Sequence, residues 1–170
     1  MKSGESYANQ RVGIFVDVQN LYHSSKNLYH GRVNYPELIK NLVGGRQLIR
    51  AMAYVVKSET AAGESAFFDA LEKSGLELRT KDLQIYPDGL KKADWDVGMA
   101  VDAIRMSSFL DVVILVTGDG DFLPLVDYLK WGVGRLVEVA AFRRSASAKL
   151  QEEADMFVNL EEIPRIILRK

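Results

Sequence analysis

Apolar residues fall along this chain in two rhythms. The first is the short continuous run, seen in Arg11-Val-Gly-Ile-Phe-Val-Asp17, in Leu48 to Val56, in Asp111-Val-Val-Ile-Leu-Val116 and in Arg135 to Phe142. Runs of this length, bounded by turn signals, predict strands buried in a parallel sheet. Leu76 to Tyr86 reads as a further strand with room for an extension, Pro87-Asp-Gly89 as a turn, and Met156 to Leu160 as a last short strand. Between the runs lie the predicted helices: Gln19–Leu28, Tyr35–Leu42, Ala61–Ser74, about Trp95–Ser107, Phe122–Trp131, Ser147–Glu153 and a terminal helix from Glu161. Their ends are marked. Tyr29-His-Gly31 breaks the first, and Asn34 with Pro36 opens the second, where a missing N–H is harmless. Gly75 closes the third. Asp94 and Asp121 are N-cap residues for the fourth and fifth, and Gly132 and Gly134 end the fifth. Alternating βα units of this length predict an α/β fold, a three-layer α/β/α sandwich around a mostly parallel sheet.

Length and composition narrow this picture. A chain of 170 residues fits one domain, so residues 11–170 are expected to form it behind a polar, flexible lead-in at residues 1–10. No apolar run approaches the roughly 18 residues of a membrane span, and the opening carries no signal-peptide core. The sequence has no cysteine, which excludes disulfides, thiolate zinc sites and a Cys nucleophile. A cytoplasmic protein without a membrane partner is the expectation. A net charge of −1 speaks against wrapping nucleic acid around the whole surface but permits a local basic patch.

The chemistry concentrates in acids at segment ends. Asp17 ends the first strand, Asp94 and Asp96 open a helix, and Asp119 and Asp121 follow the central strand in Thr117-Gly-Asp-Gly-Asp121. Ligands of open α/β sheets bind outside the carboxyl ends of the strands. Singly, Asp94 and Asp121 serve as caps, Asp96 suits the first turn of a helix and Asp119 suits a turn. Asp17, directly after Val-Gly-Ile-Phe-Val, has little structural use. If the first and central strands are neighbours, Asp17 faces Asp119. Two carboxylates about 5 Å apart repel by roughly 3 kcal/mol at an effective dielectric of about 20. Nothing in these segments places a lysine or arginine between them. Mg²⁺ or Mn²⁺, hard ions that take carboxylate and water oxygens, would remove that repulsion. Such an ion can acidify water and clamp a phosphodiester. Other motifs fit less well. Gly118-Asp-Gly120 lacks a third glycine at Leu123, Asp17-Val-Gln19 lacks the second acid of haloacid-dehalogenase-type phosphatases, and no P-loop or Ser/His pairing is visible.

Three motifs together resemble a known family: Asp17-x-x-Asn20, Asp96-Val-Gly-Met-Ala-Val-Asp102 and Thr117-Gly-Asp-Gly-Asp-Phe122 are similar to those of the NYN domain, LabA-like branch, in the PIN-like nuclease superfamily. The resemblance spans about residues 11 to 160. It implies a metal-dependent ribonuclease fold with sheet order 3-2-1-4-5. It also implies Asp17, Asp96 and Asp119 as metal-binding acids, Asp121 as a fourth acid, and Asn20 as the residue orienting a ligand or water. The family's Lys-Gly-x-Asp lead is here Lys92-Ala-Asp94-Trp-Asp96, which leaves open whether Asp94 or Asp96 is the ligand; register favours Asp96. Asp102, six residues on, lies about 240° around the helix. It therefore serves as a structural or neighbouring partner, with Arg105 a candidate to pair with it.

Under the implied strand order Lys57, Lys92, Arg143 and Arg144 flank the acids, placed to hold RNA phosphates. Tyr22 is a candidate to stack on unpaired bases, and Trp95 is better suited to packing. The function expected is an Mg²⁺- or Mn²⁺-dependent endoribonuclease acting on single-stranded or loop RNA. The alternative is a metal- and RNA-binding regulatory module of the same fold without cleavage. A small-molecule phosphohydrolase would need a cap insertion, and no segment is long enough for a convincing one. A homo-oligomer is left open.

Overall fold

A computed structural model of the protein describes residues 7–58, 63–89, 91–92 and 94–169, with Lys91 and Lys92 described in the backbone alone. In chain order β1 (Arg11–Asp17) leads to α1 (Val18–Tyr29), β2 (Arg32–Val33), α2 (Tyr35–Val43) and β3 (Gln47–Lys57). Then follow α3 (Glu64–Lys73), β4 (Glu77–Asp82), β5 (Gln84–Ile85), β6 (Lys91–Lys92) and α4 (Asp96–Met106). The remainder is β7 (Val112–Val116), α5 (Leu123–Asp127), β8 (Leu136–Ala141), α6 (Ala148–Glu153), β9 (Met156–Asn159) and β10 (Ile167–Leu168).

Six strands form the central sheet in the order β4-β3-β1-β7-β8-β9, and each adjacent pair is parallel. Counted among these six alone, the order is 3-2-1-4-5-6, the expected PIN-like order with one more strand at the edge. β1 and β7 are neighbours, with Val16 opposite Val116. Asp17 and Thr117 therefore leave the sheet side by side.

The pleat sorts the core into two layers. Val12, Ile14 and Val16 of β1 pack with Leu21, Leu38, Leu42 and Leu71, buried leucines of α1, α2 and α3. Phe15 of the same strand packs instead with Met99 and Ala103 of α4, Leu125 of α5 and Leu150 of α6. Asp17 shares the parity of Phe15, and Thr117 that of Val113 and Leu115, so both point toward the α4 layer.

Helix ends follow the expected signals in most places. Asn34 caps α2, accepting from the Glu37 N–H, with Pro36 in the first turn. At the end of α3 Gly75 has φ +94. There Gly75 donates to the Glu72 carbonyl and Leu76 to the Leu71 carbonyl, which is the Schellman pattern. The expected start of α3 at residues 61–62 lies outside the described residues.

Four expectations are corrected. No terminal helix follows Glu161. Leu160–Glu162 is one 3-10 turn and Ile163 is extended (φ −82, ψ 120), because the following Pro164 pushes its predecessor out of the helical region. The chain then turns at Arg165, whose φ is +60, and β10 pairs antiparallel with β2. The third strand does not extend through residues 84–86. β5 leaves the sheet to pair antiparallel with β6, across a turn in which Gly89 donates to the Tyr86 carbonyl. The helix expected over Phe122–Trp131 is a 3-10 turn at Gly120–Phe122, then α5, then a π-turn at Tyr128–Gly132. Its entry is capped by Asp119, which accepts from the Asp121 N–H, and not by Asp121. Among the described residues no helix is long and apolar enough to cross a membrane.

Candidate functional site

Three carboxylates converge at the carboxyl edge of the sheet. Asp17, Asp96 and Asp119 each offer one oxygen, and these oxygens all lie within 4.8 Å of one another. Three different elements deliver them. β1 ends at Asp17, α4 begins at Asp96, and Asp119 sits in the loop after β7. All three are partly buried. Asp94 and Asp121 stand outside this group and are exposed.

Hydrogen bonds fix the loop around the cluster. The Thr117 hydroxyl donates to Asp17 Oδ2 at 2.9 Å and accepts from the Asp119 N–H at 3.2 Å. Asp17 Oδ1 caps α1 by accepting from the Asn20 N–H. Asn20 Oδ1 in turn accepts from the Gly118 N–H at 2.9 Å. Asn20 thus holds the loop that carries Asp119. Thr117, fully buried, is the site residue that sequence reasoning missed. The available signal was a hydroxyl residue directly after a buried strand and two residues before an acid.

The entry to α4 is fixed separately. Asp94 Oδ1 accepts from the Asp96 N–H at 3.1 Å. Lys81 Nζ donates to the Asp94 carbonyl at 2.6 Å. Trp95 has the packing role expected of it: its indole N–H donates to the Val55 carbonyl and its ring lies 5.5 Å from Tyr54. Asp102 is buried behind this wall. It accepts from the Tyr54 hydroxyl at 2.8 Å, with Arg79 at 3.6 Å and Arg105 at 4.0 Å.

Burial and the neighbouring acids raise the proton affinity of Asp96 and Asp17. Burial, then Asp119, Asp94, Asp17 and Asp121, push the Asp96 carboxyl up to about 6. Burial also raises Asp17, against the hydrogen bonds from Thr117 and Asn20. Among the described residues no salt bridge reaches any of the three clustered acids. Oxygen-only donors at this separation, with unneutralised charge, suit a hard divalent cation.

The expected basic residues are placed less uniformly. Lys57 is exposed at the end of β3. Lys92 lies in β6, its side chain outside the described ones. Arg143 is exposed and its guanidinium stacks 5.6 Å from the Phe157 ring. Arg144 is engaged by Glu161 at 3.0 Å and lies over the Tyr29 ring.

Comparison with known proteins gives three results. The family profile described as "NYN domain" matches residues 11–161. The "Low amplitude and bright protein LabA" of Synechococcus elongatus is 23% identical over 171 aligned residues, covering 95% of this chain and 90% of that protein. The crystal structure of a protein of unknown function from Vibrio parahaemolyticus is 31% identical and superposes with a TM-score of 0.86, over 99% of this chain and 100% of that one.

Proposed function

This chain belongs to the NYN domain family, and from that premise we propose that it is a divalent-metal-dependent ribonuclease. Its reaction is hydrolysis of RNA phosphodiester bonds at the Asp17–Asp96–Asp119 cluster. The observation that carries this reading is the convergence of three carboxylates, from three elements distant in sequence, to within 4.8 Å with no salt-bridged cation among the described residues. Left empty, that arrangement costs stability through repulsion, and structural caps alone do not require it.

Asp17, Asp96 and Asp119 would hold Mg²⁺ or Mn²⁺. When bound, such an ion acidifies a water molecule and neutralises charge on a phosphodiester. The chain's own residues do the positioning. Thr117 orients the Asp17 carboxylate by donating to its Oδ2. Asn20 pins Gly118 and thereby the Asp119 loop. Asp121, exposed one residue beyond Gly120, would accept a proton from water or add a ligand oxygen. Asp94 holds the first turn of α4 and adds negative potential at Asp96.

The test is incubation of purified protein with mixed RNAs in Mn²⁺, in Mg²⁺ or in chelator, alongside Asp119→Asn. Cleavage in either metal, none in chelator, and a loss on the order of a hundredfold or more in the variant are expected, since an ion's charge stabilisation amounts to several kcal/mol. Wild-type protein that leaves RNA uncut in both metals overturns the enzyme. If it still binds RNA, the metal- and RNA-binding module takes its place.

A further inference from the structure

Two grooves meet on the exposed side of α1, and they differ in chemistry. The first, about 500 Å³, opens at Val18, directly after Asp17, and is walled by Tyr22, Val55, Phe67, Phe68 and Leu83. Among the described residues its one acid is Glu64, which accepts from the Ser58 N–H at 3.0 and 3.2 Å. The second, about 490 Å³, shares Tyr22 and Arg32 with the first and adds Lys26, His30 and Arg169. Among the described residues no carboxylate lines it. Among the described residues no salt bridge engages Lys26, Arg32 or Arg169. Lys26 Nζ lies 5.6 Å from the centre of the Tyr22 ring.

The β10–β2 pairing builds this cationic groove, because Leu168 stands opposite Arg32 and so delivers Arg169 beside it. Along α1 the helical rise places Tyr22 about 7 Å and Lys26 about 13 Å beyond Asp17. An aromatic, apolar slot therefore opens at the residue that follows Asp17, and a cationic groove continues from it through Tyr22 and Arg32. That is the repeating chemistry of a nucleotide chain, a flat base followed by an anionic phosphate. An acidic peptide would match the cations and leave the slot unused.

We propose that this side of α1 is a track for unpaired RNA flanking the scissile phosphate. One base sits against Tyr22 in the slot, and the next phosphates are held by Lys26, Arg32 and Arg169. The proposal rests on the ribonuclease reading for what happens at the acids, but not for the binding itself. The track requires an unpaired strand, because a base held in a duplex cannot enter the slot. It also moves the main RNA contact away from Arg144, whose guanidinium is taken up by Glu161.

Fluorescence anisotropy in chelator, with a labelled unstructured oligoribonucleotide and its duplex form, tests binding without cleavage. Tyr22→Ala should weaken single-strand binding roughly 5- to 100-fold, as a lost base stack does, with the salt slope unchanged. Tyr22→Phe should retain it. Lys26→Ala with Arg169→Ala should weaken binding and flatten the slope of log K against log salt by about 0.7 for each lost phosphate contact. The duplex should bind more weakly than the single strand. Wild-type affinity in these variants, equal affinity for duplex, or no measurable wild-type binding overturns the track. Cleavage in Mn²⁺ separates the two readings. Wild-type kcat/KM in every track variant would leave the nuclease standing and remove the track. Lost affinity in the variants of a protein that never cuts RNA would leave the track and remove the nuclease.

Discussion

Burial and the neighbouring acids push the Asp96 carboxyl up to about 6, against about 3.9 for an aspartate in an unfolded chain. Between about pH 4 and pH 6 the native state therefore binds more protons than the unfolded state, and stability falls as pH rises through that window. The penalty is fully present above it. Asp96→Asn removes it. The variant should melt at the same temperature as wild type near pH 4 and at a progressively higher one up to about pH 6, the gap then staying constant, in metal-free buffer. Thermal melts across pH 4–8 check this, and a difference that stays flat through the window would mean Asp96 ionises without penalty. Addition of Mn²⁺ at pH 7.5 should reverse the order, because wild type gains stability by mass action and the variant has lost a ligand. Thr117 matters at the same scale. One hydroxyl serves both Asp17 and Asp119, so it sets the spacing of two acids together with Asn20.

At the scale of elements, the start of α4 decides where Asp96 stands. Its approach to the sheet is set by Gly98. A Cβ there would meet Trp95 ring carbons at 2.5 and 2.8 Å. Alanine in a helix interior is worth about 1 kcal/mol over glycine, whereas forcing an extra carbon into a packed contact costs about 1–3 kcal/mol. The ring cannot easily yield, because it is held by the Val55 carbonyl and packed on Tyr54. The clash wins. Gly98→Ala should lower stability by about 1 kcal/mol net and shrink the Mn²⁺-induced rise in Tm, although it removes no ligand. Calorimetry with and without Mn²⁺ measures both, and an undiminished metal shift would show that α4 entry geometry does not govern the cluster. The central loop has a comparable constraint at Gly118, where a Cβ would stand 3.0 Å from the Ala146 backbone.

At the scale of the whole molecule, one buried ion pair ties the N-terminal and C-terminal halves of the sheet together. Arg46, in the turn between α2 and β3, meets Glu138 of β8 at 2.7 and 3.0 Å. The side chains are only 12% and 9% exposed, so neither charge can fall back on water. Arg46 also donates to the Leu42 and Val43 carbonyls and to the Gln10 side chain. Arg46→Ala leaves Glu138 buried without its partner and should cost about 3–5 kcal/mol, whereas Arg46→Met with Glu138→Met should cost far less or nothing. Denaturant titration of the single and double variants decides. A double variant as unstable as the single one would place the loss in packing and not in the stranded charge.

The sequence by itself determined what is local or periodic. Continuous apolar runs marked β1, β3, β7 and β8, because strands covered on both faces admit no polar alternation. Strand parity then put Asp17 on the same face as Phe15. Turn chemistry marked His30, Gly75 and Pro87–Gly89. The acids at the ends of β1 and β7 and at the head of α4 were visible as candidate chemistry, Asp17 alone lacking a ready structural use, and their family pattern suggested that they meet. Only the tertiary structure decided the rest. Strand order depends on pairings between residues about 100 positions apart, such as Val16 with Val116. It placed Asp96 and not Asp94 in the cluster, because Asp94 spends its carboxylate on the first N–H of α4. It joined β10 to β2, two strands of two residues each, too short to leave a periodic signal. It bound Arg144 to Glu161 and, among the described residues, left Lys26, Arg32 and Arg169 without salt bridges. A residue's type and period fix which face it can occupy, but which charges find partners is settled only when the chain closes on itself.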